Sequence, residues 1–239
     1  MSRRFEELDW QDTDMGEISL RRRLEPTLRV DVFEVKLGEE FLMSSLFPVA
    51  EIELARLGLG ACAGDEPASF DVVVGGLGLG YTAVAALADQ RVRSLAVIEA
   101  LAPVISWHER ELLPDAVGLT GDARTALVHG DFFALAAGAL GFGEGVPTLL
   151  HAILLDIDHT PTHVLHPSHT AFYSAEGLSA LRGHLHPGGV FALWSDDPPD
   201  EEFLALLRDG FTSAQAHLVP FANPLTGGTS SNSVYVAVA

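Results

Sequence analysis

Three carboxylates, Glu99, Asp131 and Asp156, each close a short apolar run, and four glycines, Gly75, Gly76, Gly78 and Gly80, follow another. A carboxylate can accept hydrogen bonds from ribose hydroxyls, hold a cation, or take a proton from a nucleophile. Glycines between a strand and a helix let backbone N–H groups and the positive helix end come close to a ligand. The stretch Asp71 to Thr82 (DVVVGGLGLGYT) reads as such a unit: a buried β-branched strand, a glycine turn and a helix start. Arg93 to Glu99 reads as a second strand ending in an acid about 20 residues on, where a pair of ribose hydroxyls would sit. A glycine pattern alone also makes ordinary tight turns, and a lone acid at a strand end is commonly a helix cap. Three such acids after one glycine loop point instead to a cleft for a nucleoside-type ligand.

The elements that must position these groups alternate. Apolar runs at 71–74, 93–99, 124–131, 151–156 and 190–195 read as strands, and 81–88, 104–113, 132–140, 171–185 and 201–208 as helices between and after them. Pro114 is read as ending one helix. Strands at 214–221 and 233–238 follow, joined through Asn223 to Gly228 as a hairpin at one edge. Alternation of this kind implies an α/β fold built on a mainly parallel sheet with right-handed crossovers, seven strands in all. Residues 1–46 differ: 17–23 and 29–37 alternate with period two, and Gly38 to Glu40 turns into 41–43. They predict two or three antiparallel strands, a small β appendage (1–46) ahead of a nucleoside-binding domain (47–239). Pro48 to Leu57 reads as the connecting helix with Gly58 as its stop, and 61–69 as a loop.

Composition narrows the partners. The chain has 239 residues, 48% hydrophobic, with a formal charge of −19. One core is affordable at this length, and like charges repel a nucleic-acid backbone. The acidity suits a cationic ligand such as a polyamine, although an acidic surface also simply keeps a protein in solution. Cys62 is the only cysteine, which excludes an intrachain disulfide and a thiolate metal cluster. No long uncharged apolar run and no apolar signal core are found, so a cytoplasmic protein that does not enter a membrane is expected.

Taken together, Gly75 to Gly80 (GGLGLG), Val97 to Glu99, Arg124 with His129 to Asp131, Leu155-Asp156 and Leu185 to Gly189 (LHPGG) resemble the spermidine synthase family, within the S-adenosylmethionine-dependent methyltransferase folds. The resemblance implies a Rossmann-like seven-stranded fold, with the N-terminal strands as the family's small β domain, and a homodimer. It implies that Gly75, Gly76, Gly78 and Gly80 hold the nucleoside's tail, that Glu99 binds the ribose, and that Asp131 lies near the adenine. Asp156 falls where the family places the acid that prepares the attacking amine, and Asp158 is the second candidate. The implied donor is S-adenosylmethionine or its decarboxylated form, and the implied acceptor a polyamine. Three departures stand out. Gly78 replaces the aspartate that holds the donor's ammonium, His159 stands where a second acid is expected, and Met43 to Phe47 (MSSLF) lacks the family's tyrosine and glutamine.

Other chemistries compete for the same residues. His159, His163, His166 and His169 share one loop and invite a zinc reading, but a loop of Thr, Pro, Ser and His is also an ordinary connector, and no metal is expected. No Gly-x-Ser-x-Gly elbow is present, so covalent hydrolase chemistry is not expected. The acids of Trp194 to Asp197 either face the cleft or cap the helix at Glu201, and capping is the reading preferred. Three functions remain: alkyl (aminopropyl) transfer to an amine, methyl transfer from S-adenosylmethionine to an unknown acceptor, or a non-catalytic binding module.

Overall fold

A computed structural model describes residues 5–63, 69–114 and 116–239 of the chain. Most of the expected 61–69 loop lies outside the described residues. The N-terminal part is a four-stranded antiparallel sheet, β1 (Phe5–Thr13), β2 (Gly16–Glu25), β3 (Val30–Leu37) and β4 (Glu40–Ser44), in that order. Four strands are present where two or three are expected. β1 escapes a period-two reading because a bulge between Glu7 and Asp9 shifts its register, so that Phe5, Glu7, Trp10 and Asp12 are its exposed positions.

Helix α1 (Val49–Ala61) leads into β5 (Phe70–Gly75), α2 (Tyr81–Leu87), β6 (Val92–Glu99) and α3 (Ala102–Glu109). Then come α4 (Ala116–Thr120), β7 (Thr125–His129), α5 (Phe132–Ala137) and β8 (Leu150–Leu155). A 3-10 turn (Pro167–Tyr173), α6 (Ala175–Arg182), β9 (Leu185–Ser195), α7 (Glu201–Gly210), β10 (Ser213–Asn223) and β11 (Gly228–Val238) complete the chain. The main sheet runs β10-β11-β9-β8-β5-β6-β7. The five strands β9, β8, β5, β6 and β7 are parallel, and the β10–β11 hairpin adds antiparallel strands at one edge. This is the expected α/β architecture.

The central strands β5, β6, β8 and β9 are largely buried on both faces, and their buried residues alternate between two cores. Val72 and Val74 face α1 and α2 with Leu95, Val97 and Leu154, whereas Val73, Ile98, Ile153 and Leu155 face the phenylalanine-rich layer of α5, α6 and α7. Ile18, Leu20 and Val35 of the N-terminal sheet belong to the first of these cores. The Trp107 indole donates to Asp9 (2.7 Å), which also pairs with Arg110 (3.2 Å), so β1 is tied to α3.

Two helix ends differ from expectation. α1 does not stop at Gly58 but runs through it, because the missing side chain lets the helix lie on the sheet. A Cβ there would stand 2.6 Å from Leu154 Cδ2 and 3.1 Å from Ala192 Cβ. α3 ends at Glu109 rather than at Pro114; Glu111 takes a positive φ of 56° and the short α4 follows. No described helix is long and apolar enough to cross a membrane.

Candidate functional site

The order of the main sheet reverses between β5 and β8, and the chain leaves both strands there at their carboxyl ends. Such a switch point opens a crevice. The two loops are stitched together by the Asp156 N–H, which donates to Gly75 C=O (2.8 Å). Gly76 (φ 93°) has to be glycine, since a Cβ would collide with the Asp156 carbonyl.

The turn that follows satisfies most of its own donors. Gly76 N–H donates to Ile98 C=O (2.9 Å), Gly80 N–H to Leu77 C=O (2.8 Å), and Leu77 N–H to Glu99 Oε2 (3.0 Å). Glu99 Oε1 accepts from Leu101 N–H (2.8 Å). Burial raises the Glu99 pKa, and the surrounding backbone N–H groups, including that of Gly78, work against the rise. His108 braces the turn from below, its Nε2–H donating to Gly78 C=O (2.9 Å), and burial lowers its pKa and favours the neutral ring.

Two cavities flank this turn. The first, about 290 Å³, is lined by Gly76, Gly78, Glu99, Asp131 and Asp156, by Phe132 and Phe133, and by an apolar wall from the N-terminal sheet that includes Ile18, Val35 and Met43. The second, about 620 Å³, is lined by Gly78, Gly80, Tyr81, Glu51, Asp156 and Asp196, by aromatic side chains such as Phe47 and Trp194, and by the β10–β11 hairpin. Asp156, Ile157, Gly78, Leu42 and Met43 line both, so the two spaces meet at Asp156. Among the described residues no lysine or arginine lines either one.

Asp156 is half-buried on the cavity walls, and its Oδ2 accepts from Thr82 Oγ1 (2.6 Å). Burial pushes its pKa up to about 6. Glu51, in the first turn of α1, is pushed up to about 8, first by burial and then by the charges of Asp156 and Asp196. Asp196 accepts from Asn232 Nδ2 (2.7 Å) and faces this second space. The cap of α7 is Asp200, which accepts from Glu202 and Phe203 N–H, so the expected capping role of the acids after Trp194 belongs to a later residue.

The structure thus gathers Gly75 to Gly80, Glu99, Asp131 and Asp156 around one crevice. Asp131 is also the N-cap of α5, its Oδ1 accepting from Phe133 N–H (2.9 Å) and Ala134 N–H (3.2 Å). Asp158 is turned away. It is buried, lines neither cavity, and accepts from Leu165 N–H (2.8 Å), the His169 ring (2.8 Å) and Tyr173 OH (2.9 Å), holding the 158–173 segment together. The loop histidines lie in two pairs, His159 beside His163 (5.0 Å) and His166 beside His169 (5.9 Å), with His169 stacked on Phe133, His159 meeting Glu40 (3.0 Å) and His166 bonding Ser168 (2.7 Å). Sequence reasoning missed Glu51, Thr82 and Met43, and ranked the cleft position of Asp196 below capping. Glu51 reads as one polar position on an ordinary helix, and only the packing of α1 beside β8 turns it inward.

No protein-family model and no curated protein matches the sequence. Solved structures do match the fold. A spermidine synthase in complex with the transition-state analogue AdoDATO is 17% identical with a TM-score of 0.72, covering 97% of this chain and 73% of that one. The spermidine synthase from Thermotoga maritima is 17% identical (TM-score 0.70, 97% and 72% covered). A probable spermidine synthase from Corynebacterium glutamicum is 15% identical (TM-score 0.64, 96% and 79% covered). The chain has the spermidine synthase fold, with the N-terminal antiparallel sheet as well as the seven-stranded one.

Proposed function

We propose that this chain is a transferase of the spermidine-synthase type. It holds an adenine nucleoside with sulfur at the 5′ position in the first cavity and passes an alkyl (aminopropyl) group to an amine in the second. The observation that carries this reading is the place of Asp156, among the described residues the one carboxylate that lines both spaces. Transfer from a sulfonium is an in-line displacement. The amine lone pair forms the new C–N bond, the C–S bond breaks onto sulfur to leave a neutral thioether, and the amine must lose a proton. With its pKa raised to about 6, Asp156 is mostly ionised near neutrality yet basic enough to take that proton. Glu99 lines the first cavity, where a carboxylate can meet ribose hydroxyls, and the aromatic pair Phe132 and Phe133 supplies an apolar wall suited to a base.

Methyl transfer from S-adenosylmethionine finds less support. Its methionine carboxylate wants free N–H groups or a cation, but the N–H groups of Gly76, Leu77 and Gly80 are already engaged. The test offers S-adenosylmethionine and its decarboxylated form with putrescine, spermidine or agmatine, and follows released methylthioadenosine or S-adenosylhomocysteine. Asp156→Asn is expected to keep nucleoside binding and to lower transfer on the order of a hundredfold or more. Equal turnover by the variant would make Asp156 a structural group and end this mechanism.

A further inference from the structure

The donor's tail meets an unusual surface in this chain. At Gly78 (φ 47°) there is no side chain to hold a charge, and the space that one would enter is filled by Met43, whose sulfur lies 2.7 Å from where a Cβ would stand. An ammonium at the end of the donor's tail would face the Met43 thioether at that spot, and an unpaired ammonium in such surroundings is costly. The space does not end there, however. Gly78 and Met43 line the second cavity as well as the first, and Glu51 stands on that second wall beside Asp156.

Two contacts fix Glu51 in place. α1 packs against α2 at their N-terminal ends, and Thr82 of α2 lies within hydrogen-bond distance of both the Glu51 carbonyl (3.3 Å) and the Asp156 carboxylate (2.6 Å). The backbone of Glu51 and the side chain of Asp156 are thereby held on either side of one hydroxyl. Asp156 and Asp196 push on the Glu51 carboxyl electrostatically, and among the described residues no lysine or arginine lining the cavity answers them.

We infer that Glu51 is the specificity-determining residue for the donor's tail, its carboxylate on α1 binding the terminal ammonium in place of the side chain that Gly78 lacks. The inference rests on the nucleoside reading above. A bound cation favours the ionised form of Glu51 and offsets the repulsion among the three acids. The same surface repels a tail that carries a carboxylate, so decarboxylated S-adenosylmethionine binds in preference to S-adenosylmethionine.

The experiment is calorimetric titration of the full chain with methylthioadenosine, which has no charged tail, and with decarboxylated S-adenosylmethionine. Glu51→Gln should weaken the decarboxylated donor by about tenfold or more, the loss of one charge-assisted contact, and leave methylthioadenosine within about twofold. Gly78→Asp placed on Glu51→Gln should restore the donor, since aspartate tolerates a left-handed backbone and the Met43 side chain can swing aside. A Glu51→Gln protein that binds both ligands as wild type does, or loses both equally, would overturn the role of Glu51 while the cleft stands. So would a wild type that binds methylthioadenosine but not the decarboxylated donor. Silence of the wild type toward both ligands would overturn the nucleoside reading and this inference with it.

Discussion

Asp156 combines two properties that normally oppose each other, a desolvated carboxylate and a position open to two cavities. Its carboxyl is held at about 6 against an ordinary 3.8, so the folded protein binds its proton more tightly than the unfolded chain does. The sign follows from proton counting. Across that window the unfolded state carries fewer protons, and stability falls as pH rises. Asp156→Asn removes the buried charge but still accepts from Thr82. The variant should therefore melt above wild type at pH 8, by on the order of 1–2 kcal/mol, and lose that advantage near pH 4. Thermal melts across this range check it; a difference that does not change with pH would mean that Asp156 titrates normally. A stabler, slower variant is the outcome expected of a group kept for chemistry rather than for folding.

At the scale of elements, α1 decides how the crevice is shaped. It rests on β8 and β9 through Gly58, and that close seating brings its first turn, with Glu51, to the rim of the second cavity. Gly58→Leu would force a side chain against Leu154 and Ala192 and push the helix off the sheet. An overpacking cost of about 1–3 kcal/mol is expected, read as a lower midpoint in urea, and the crevice should widen along with it. Gly58→Leu with unchanged stability would mean that α1 can shift freely. The same logic explains the misplaced helix end. Glycine is a helix stop by propensity, but at Gly58 close packing against the sheet outweighs propensity. β1 teaches a parallel lesson, because a single bulged residue hides an otherwise regular strand from any count of period two.

For the whole molecule, the N-terminal sheet is both a lid on the first cavity and an exposed surface. Ile18 and Val35 line the cavity while Phe5 and Trp10 lie about half exposed, at 54% and 49%, on β1 at the sheet's edge. Exposed aromatic side chains on an edge strand favour pairing with a second chain, and we expect a homodimer through this edge. Trp10→Glu combined with Phe5→Glu should halve the mass measured by light scattering and leave nucleoside binding in place. A dimer that survives both changes would place the interface elsewhere. Removing residues 1–46 outright is a poorer test, because Ile18, Leu20 and Val35 are part of the main core and would leave it open.

The sequence by itself determined the α/β alternation, the edge hairpin, the glycine turn and the acids Glu99, Asp131 and Asp156. Each of these is written in local spacing, either β-branched runs between helical periods or a charged residue ending a strand. Local spacing does not say which of several acids share a space. Asp156 and Asp158 are two residues apart and alike in type. Only the folded chain turns one toward two cavities and the other into a bonded knot with His169 and Tyr173. Glu51 is more than a hundred residues from Asp156 in sequence, and its nearness to that acid depends on α1 lying across β8, a long-range packing that no window of residues contains. The reversal of strand order between β5 and β8 opens the crevice for the same reason: it is a relation between distant segments, decided when the sheet assembles.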